Sequence, residues 1–330
     1  MKFKALRVTE KEKNVYKRII ELQSIDDLPP GDLTIRVRYS SLNYKDALSA
    51  TGNKGVTRSY PHTPGIDAAG TVMESRSEQF KQGDEVIVTG YDLGMNTPGG
   101  YGEFIRIPSQ WAIRKPEGLS LEECMTIGTA GLTAAIALHK MELLGMSPSR
   151  GNIVVTGASG GVGSLGTALL AKKGYDVTAV SGKETATDFL LQLGAKHVEG
   201  REFVEDSSER PLLKSRWAGA IDTVGGNTLA TLLKACGNEG VIASTGLVGS
   251  PLLQTTVFPF ILNGISLVGV GSAETSIEIK RMLWEKLSGP WSIKEHLGKI
   301  GRTVSLEELS EKYIPLILEG KLTGRIVVKL

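Results

Sequence analysis

Cysteine is nearly missing from this 330-residue chain, which holds only 2, Cys124 and Cys236. Two distant cysteines make neither a disulfide framework nor a metal-ligand spacing, and they suit a reducing, cytoplasmic compartment. Histidine is scarce as well: His62, His139, His197 and His296 are the 4 present. None falls in an H-x-x-H or Cys/His pattern, so a zinc site is not expected. Excess charge is also lacking, and a formal net charge of +2 gives no reason to invoke nucleic acid or another polyanion. No apolar run reaches the ~18 residues of a membrane span. The nearest, Val257 to Val270, is broken by Pro259, Asn263, Gly264 and Ser266. The start, Met1 to Arg7, is charged and strand-like, unlike a signal peptide.

Glycine, in contrast, is abundant, with 40 residues clustered at turns between short apolar runs. The length suggests two domains with ample core. The first ~125 residues read as β-rich by their period-two alternation. Leu33 to Tyr39 alternates with period two, and Ala68 to Met73, Asp84 to Val88 and Tyr101 to Ile107 are short strands bounded by Gly and Pro. Ser120, followed by Glu122 and Glu123, has the pattern of a helix start. From Cys124 onward the pattern alternates between helix and strand. A helix is expected over Ala130 to Met141, and strands at Ile153–Thr156, Val177–Val180, Lys196–Val198, Ala220–Thr223, Val241–Ser244 and Ser266–Val270. That rhythm predicts an α/β fold with a doubly wound parallel sheet. Helices over Ser276 to Leu287 and Leu306 to Leu318 follow, then a last strand from Gly324 to Leu330. A strand outside the βαβ block needs a β-rich partner. The expected layout is therefore a first domain, 1–124, completed by about 288–330, around a dinucleotide domain, 125–287.

The run Val154-Val155-Thr156-Gly157-Ala158-Ser159-Gly160-Gly161-Val162-Gly163 is the strongest motif. An apolar strand ends in a glycine turn and a helix begins at once, inside a βαβ series. Small residues let backbone approach a pyrophosphate, and the helix N-terminus aims amide N–H groups at it. That context separates the motif from a chance glycine cluster. About twenty residues on, where an acid would bind the ribose 2′-OH of NAD, stand Ser181-Gly182-Lys183. A carboxylate would repel a 2′-phosphate, whereas a hydroxyl and a lysine can hold one, so NADPH is the expected cofactor. Lys183 read alone is also consistent with a solvated loop lysine. Asn43-Tyr44-Lys45-Asp46, between a strand and an apparent helix, has two readings. It can line a cleft, with Tyr44 against a nicotinamide, or it can be a capped helix start with Asn43 as the cap.

In this order the motifs resemble the medium-chain dehydrogenase/reductase superfamily over essentially the whole chain. Ser41 to Leu48, Tyr60 to Asp67, Trp217 to Val224 and Thr256 to Leu262 are similar to its zinc-free quinone oxidoreductase-like subgroup, which includes bacterial NADPH-dependent acryloyl-CoA reductases. The resemblance implies a GroES-like β-rich catalytic domain beside a Rossmann domain. Zinc-dependent relatives carry a cysteine where Asn43 stands and Gly-His-Glu where Gly65-Ile66-Asp67 stand, so no metal is implied. The implied cofactor contacts are Tyr44 near the nicotinamide and Thr129 at its ribose. Ser159, Gly160, Gly161 and Val162 would meet the pyrophosphate, and Ser181, Gly182 and Lys183 the 2′-phosphate. Arg201 would lie beside the adenosine end, with Leu247, Ile261 and Ser272 on the nicotinamide side.

The activity so implied is NADPH-dependent reduction of a conjugated C=C bond in acryloyl-CoA or a similar enoyl thioester. Tyr44 is the candidate for the proton or for positioning, Asn43 for a polar donor, and Asp46 for orienting the loop. Arg325 is a candidate for the CoA phosphates. The alternatives are an NADPH:quinone oxidoreductase and, from another class, a non-catalytic NADPH-binding protein. The apolar strand Ile265 to Val270, read as a sheet edge, suggests a homodimer.

Overall fold

The computed structural model describes residues Met1–Leu330. The chain divides into two compact units. One comprises Met1–Thr129, Ala273–Ser288 and Ile300–Leu330, the other Ala130–Ser272 and Gly289–Lys299. The helix Ile277–Ser288, which the strand–helix rhythm assigns to the dinucleotide domain, belongs to the first unit.

The first unit is built on a seven-stranded sheet and a separate hairpin. Along the sheet run Gly301–Val304, Arg325–Lys329, Leu33–Ser41, Asp67–Ser75, Glu85–Thr89 and Ala112–Arg114, with Phe104–Ile107 added on Leu33–Ser41. The alternation in Leu33–Ser41 does what it predicts: Leu33, Ile35 and Val37 are buried, and Arg36 and Arg38 face solvent. The terminal strand pairs with Leu33–Ser41 through Val327 and Ser41, within the first unit. The hairpin of Lys2–Glu12 and Val15–Ser24 extends the expected first strand. Helix Tyr44–Ala50 presses Ala47 and Ala50 into a core with Leu6, Val8, Leu42, Ile314 and Val328.

Leu306 to Leu318 is not the continuous helix expected from its apolar spacing. One turn, Leu306–Glu308, leads into a widened π turn, Leu309–Tyr313, and then helix Ile314–Leu318. Pro315 has no N–H to return to the carbonyl four residues earlier and its ring crowds that carbonyl, so the preceding turn opens.

The second unit is a six-stranded parallel sheet. Its order is His197–Glu199, Val177–Val180, Ile153–Thr156, Trp217–Asp222, Cys236–Ser244, Ser266–Gly269. In chain order this is 3-2-1-4-5-6, the doubly wound Rossmann arrangement. Ile153–Thr156 and Val177–Val180 are buried at every position, as strands covered by helices on both faces must be. The strand order reverses between Ile153–Thr156 and Trp217–Asp222, and the glycine turn leaves the sheet at this switch point. Ser266–Gly269 pairs on one side only and is an edge.

Ser120 opens helix Leu121–Leu143, its hydroxyl accepting from Glu123 N–H while Glu123 accepts from Ser120 N–H, a complete capping box. This helix is long and apolar enough to cross a membrane by length and composition, but 78% of its most apolar window is buried inside the protein. Burial of that kind marks a core helix. It breaks at Gly128, where φ is 49° and ψ −156°.

Candidate functional site

In the β-rich unit the ends of three strands and the helix break meet around a buried ionic cluster. Ser41 ends its strand, while Asp67 and Arg325 begin theirs, and both charged residues are almost fully buried. Asp67 Oδ2 accepts from Ser41 Oγ at 2.6 Å and Asn43 Nδ2 at 2.8 Å. Thr129 donates to Asp67 twice, from its backbone N–H at 3.0 Å and its hydroxyl at 2.6 Å. The Arg325 guanidinium lies 3.7 Å from Asp67 and donates to Thr126 O, Leu42 O, Asn43 Oδ1 and Ser41 Oγ. Only glycine can stand at the helix break. A Cβ on Gly128 would lie 2.6 Å from Asp67 Oδ2 and 2.9 Å from both Arg325 and Ser41.

Asp46 is the second buried carboxylate. Its Oδ1 accepts from Gly65 N–H at 3.2 Å and Ile66 N–H at 2.8 Å. Its Oδ2 accepts from Asn43 N–H at 2.8 Å and, more weakly, from Asn43 Nδ2 at 3.3 Å. Desolvation and then the neighbouring Asp67 charge push its pKa up to about 7, against the opposing pull of those N–H donors. Asp46 thus ties the helix start at Asn43 to the Gly65-Ile66 backbone. The Asn-Tyr-Lys-Asp segment is a helix start with Asn43 at its cap, and Asn43 and Asp46 also belong to the buried polar cluster.

Two expectations are corrected. The Asn43 carboxamide is committed at both ends, donating to Asp67 and accepting from Arg325, so it has no free face for a substrate oxygen. Arg325 is enclosed, with its donors spent on Thr126, Leu42, Asn43 and Ser41, so it cannot reach CoA phosphates. Tyr44, the first residue of its helix, keeps 39% of its surface exposed. Sequence reasoning missed Asp67 and Ser41 as members of the cluster. Asp67 carried a signal, an acid opening a strand just before the small residues Ala68, Ala69 and Gly70.

In the nucleotide-fold unit, helix Gly161–Lys172 starts at Gly160 with no side-chain cap, which leaves its first-turn amides for another acceptor. A Cβ on Gly163 would overlap Gly157 O and Ala158, so helix and turn pack backbone to backbone there. Ser181 Oγ donates to Ser159 Oγ at 2.9 Å and accepts from Lys183 N–H at 3.1 Å, joining the glycine turn to the end of the second strand. The Arg201 guanidinium lies over Gly182, in the space a Cβ would fill. Burial and then Arg201 lower the Lys183 pKa. Two cations stand together where a ribose-binding acid would otherwise be. Ser272 accepts from Thr133 Oγ1 at 2.8 Å, and Leu247 and Ile261 are exposed. This cradle fits a dinucleotide, with the backbone of Gly160 to Val162 toward pyrophosphate and Ser181, Lys183 and Arg201 toward an anionic ribose.

The GroES-like β unit and the Rossmann unit define a dehydrogenase/reductase architecture. Residues 29–117 match the alcohol dehydrogenase GroES-like domain, and residues 161–288 match the zinc-binding dehydrogenase domain. The chain is 42% identical to the putative quinone oxidoreductase YhfP of Bacillus subtilis over 99% of both chains. It is 43% identical to the probable acrylyl-CoA reductase AcuI of Escherichia coli, covering 95% of this chain and 96% of that one. The yhdH oxidoreductase of Salmonella enterica, solved with NADP, superposes with a TM-score of 0.95 at 40% identity over the whole of both chains. YhfP solved with NAD superposes at 0.96 and 42%, again over both whole chains. The protein belongs to the medium-chain dehydrogenase/reductase superfamily, in its quinone oxidoreductase-like group.

The second domain's description implies zinc, and the residues do not fit one. No group of three or more His, Cys, Asp or Glu side chains converges anywhere in the chain. Asn43 and Ile66 offer no thiolate or imidazole, and the Asp67 carboxylate is already matched by Arg325, whose charge would repel a cation.

Proposed function

We propose that this protein is a zinc-independent, NADPH-dependent reductase of conjugated C=C bonds, acting on acryloyl-CoA or a similar enoyl thioester. The observation that carries the cofactor assignment is the pairing of Lys183 with Arg201 over Gly182, at a strand end with no acid. Two cations and the Ser181 hydroxyl suit a 2′-phosphate, whereas NAD alone would leave that charge unmatched. The acceptor is supported by the relative named acrylyl-CoA reductase at 43% identity. A quinone is the second reading, supported by the relative named putative quinone oxidoreductase at 42%.

NADPH, when bound, supplies the hydride. The chain's own residues do the rest. The β-rich unit serves the acceptor: Tyr44, exposed at its helix start, gives or orients the proton at the substrate α-carbon. Asn43 and Asp46 hold that start in place through Asp67 and Arg325. Thr129, tied to Asp67, is assigned to the nicotinamide ribose. In the other unit Ser159, Gly160, Gly161 and Val162 hold the pyrophosphate, and Ser181, Gly182, Lys183 and Arg201 hold the phosphorylated ribose. Leu247, Ile261 and Ser272 take the nicotinamide side.

We further propose a cytoplasmic homodimer. Both cysteines are free and buried. The edge strand Ser266–Gly269 lies in the same unit as the exposed side chains Phe258, Ile261 and Leu262, which suits strand pairing with a second copy.

Turnover of NADPH and NADH, each with acryloyl-CoA and with a benzoquinone, tests both assignments at once. Preference for NADPH with acryloyl-CoA is expected. Faster turnover of the quinone transfers the assignment to the second reading. Binding without turnover of any acceptor makes the protein a non-catalytic NADPH binder.

A further inference from the structure

Lys280, on helix Ile277–Ser288, is only 1% exposed and has no carboxylate within ion-pair distance. A buried ammonium without a counter-ion is costly, so its surroundings must hold it by other means. Nζ donates to Thr89 O at 2.7 Å and Ala273 O at 2.9 Å, and it lies 3.4 Å from the centre of the Tyr91 ring. The same Ala273 carbonyl accepts from Tyr91 N–H at 3.1 Å, and the Tyr91 hydroxyl donates to Thr275 O at 3.4 Å. Gly90, at φ 76°, allows the close approach: a Cβ there would lie 2.8 Å from Ala273 Cα. Several contacts thus fasten residues 273–275 to the end of strand Glu85–Thr89, and the ammonium is the only charge among them.

That strand end is also the edge of the ionic cluster, because Thr89 is the register partner of Asp67. Asp46 and Asp67 are two buried carboxylates, and Arg325 supplies one buried positive charge. Lys280 is the other buried cation of the same unit. With it, the cluster's charges balance once Asp46 is ionised, above its pKa of about 7.

We propose that Lys280 is a positioning residue of the candidate site, the second cation of the Asp46–Asp67–Arg325 cluster and the clamp on Ala273. The proposal rests on the reading that Tyr44, held by that cluster, serves the reaction. Without the ammonium one carboxylate is in excess. Asp46 then repels Asp67 or takes a proton from solvent, and either outcome weakens its grip on Asn43, Gly65 and Ile66.

Desolvation lowers the Lys280 pKa to about 8, opposed by Glu274 and Asp67. The other titratable groups around it are Tyr91, and Glu278 and Arg281, which act on Tyr91 from Lys280's own helix. The pKa is lowered from the ordinary 10.5, so the unfolded chain binds more protons between about 8 and 10.5. Global stability therefore rises with pH through that window from this group, while the local hold is lost.

The test uses the full chain with NADPH and acryloyl-CoA across pH, for wild type, Lys280→Met and Lys280→Arg. Wild-type kcat should fall with a midpoint near pH 8. Lys280→Met should lose about tenfold in kcat, change KM for NADPH less than about twofold, and lack that alkaline limb. Lys280→Arg should recover most of the rate and keep it beyond about pH 10, because guanidinium does not titrate there. Wild-type kcat and an unchanged limb in Lys280→Met would overturn the proposal. If Lys280→Met gives no cooperative melt, Lys280→Arg decides: a limb still near pH 8 refutes it. A wild type that turns over no acceptor defeats the reductase reading, and Lys280 is then read from melting. A stability rise above pH 8 that vanishes in Lys280→Arg supports its role, and one that persists overturns it.

Discussion

The two units hold their candidate functional residues in opposite ways. In the β-rich unit the residues behind Tyr44 are buried ions, each carboxylate saturated with donors and each cation enclosed. In the nucleotide-fold unit they are bare backbone and partly exposed cations at a glycine turn. A buried network tolerates little change, because removing one member strands the others in a low-dielectric interior. An exposed cation site can be altered with little effect on folding, since solvent screens what remains. The first arrangement fixes geometry. The second, in the function proposed above, is where cofactor preference would be set.

The comparison breaks most visibly at Asp67. Asp67→Ala leaves Arg325 without its carboxylate and orphans donors from Ser41, Asn43 and Thr129. A loss of ~3–5 kcal/mol is expected, read from the urea unfolding midpoint. A loss below ~1 kcal/mol would mean that the cluster is surface-like and that the contrast is false. Next in size is Arg201→Ala, which should weaken NADPH binding ~10–100-fold by fluorescence titration, with NADH affinity and the melting temperature nearly unchanged. Equal loss for both cofactors would remove Arg201 from the 2′-phosphate site. Smallest in stability is Tyr44→Phe, expected within ~0.5 kcal/mol of wild type because the ring is partly exposed. Its kcat should nevertheless fall ~10²-fold. Unchanged turnover and cofactor affinity would end the role given to Tyr44.

Local pattern was enough for the elements whose chemistry lies within a few residues. Period-two alternation located Leu33 to Tyr39 of the strand Leu33–Ser41, and apolar runs between glycines located Ile153–Thr156 and Val177–Val180 at their observed bounds. The capping box at Ser120 and the glycine turn were legible for the same reason. Arg325 was not legible. At the start of a terminal strand it reads as a surface base, and only the pairing of that strand with Leu33–Ser41 carries it into the interior. Asn43 was legible as polar and near a helix start, but its two long-range partners, Asp67 and Arg325, lie 24 and 282 residues away. Lys280 left no trace, since a lysine on an amphipathic helix is normally solvated.

The sequence by itself determined the nucleotide-fold half: strand, glycine turn, helix and missing acid are consecutive, and backbone geometry follows from such neighbours. It also determined that the chain lacks thiolate and imidazole at the positions that would make a zinc site. The tertiary structure alone decided which charges are buried and against what. Asp46, Asp67, Arg325 and Lys280 come from four distant segments. Their environment is a property of strand pairing rather than of any one segment, and desolvation and Coulomb coupling act only after the fold has brought them together.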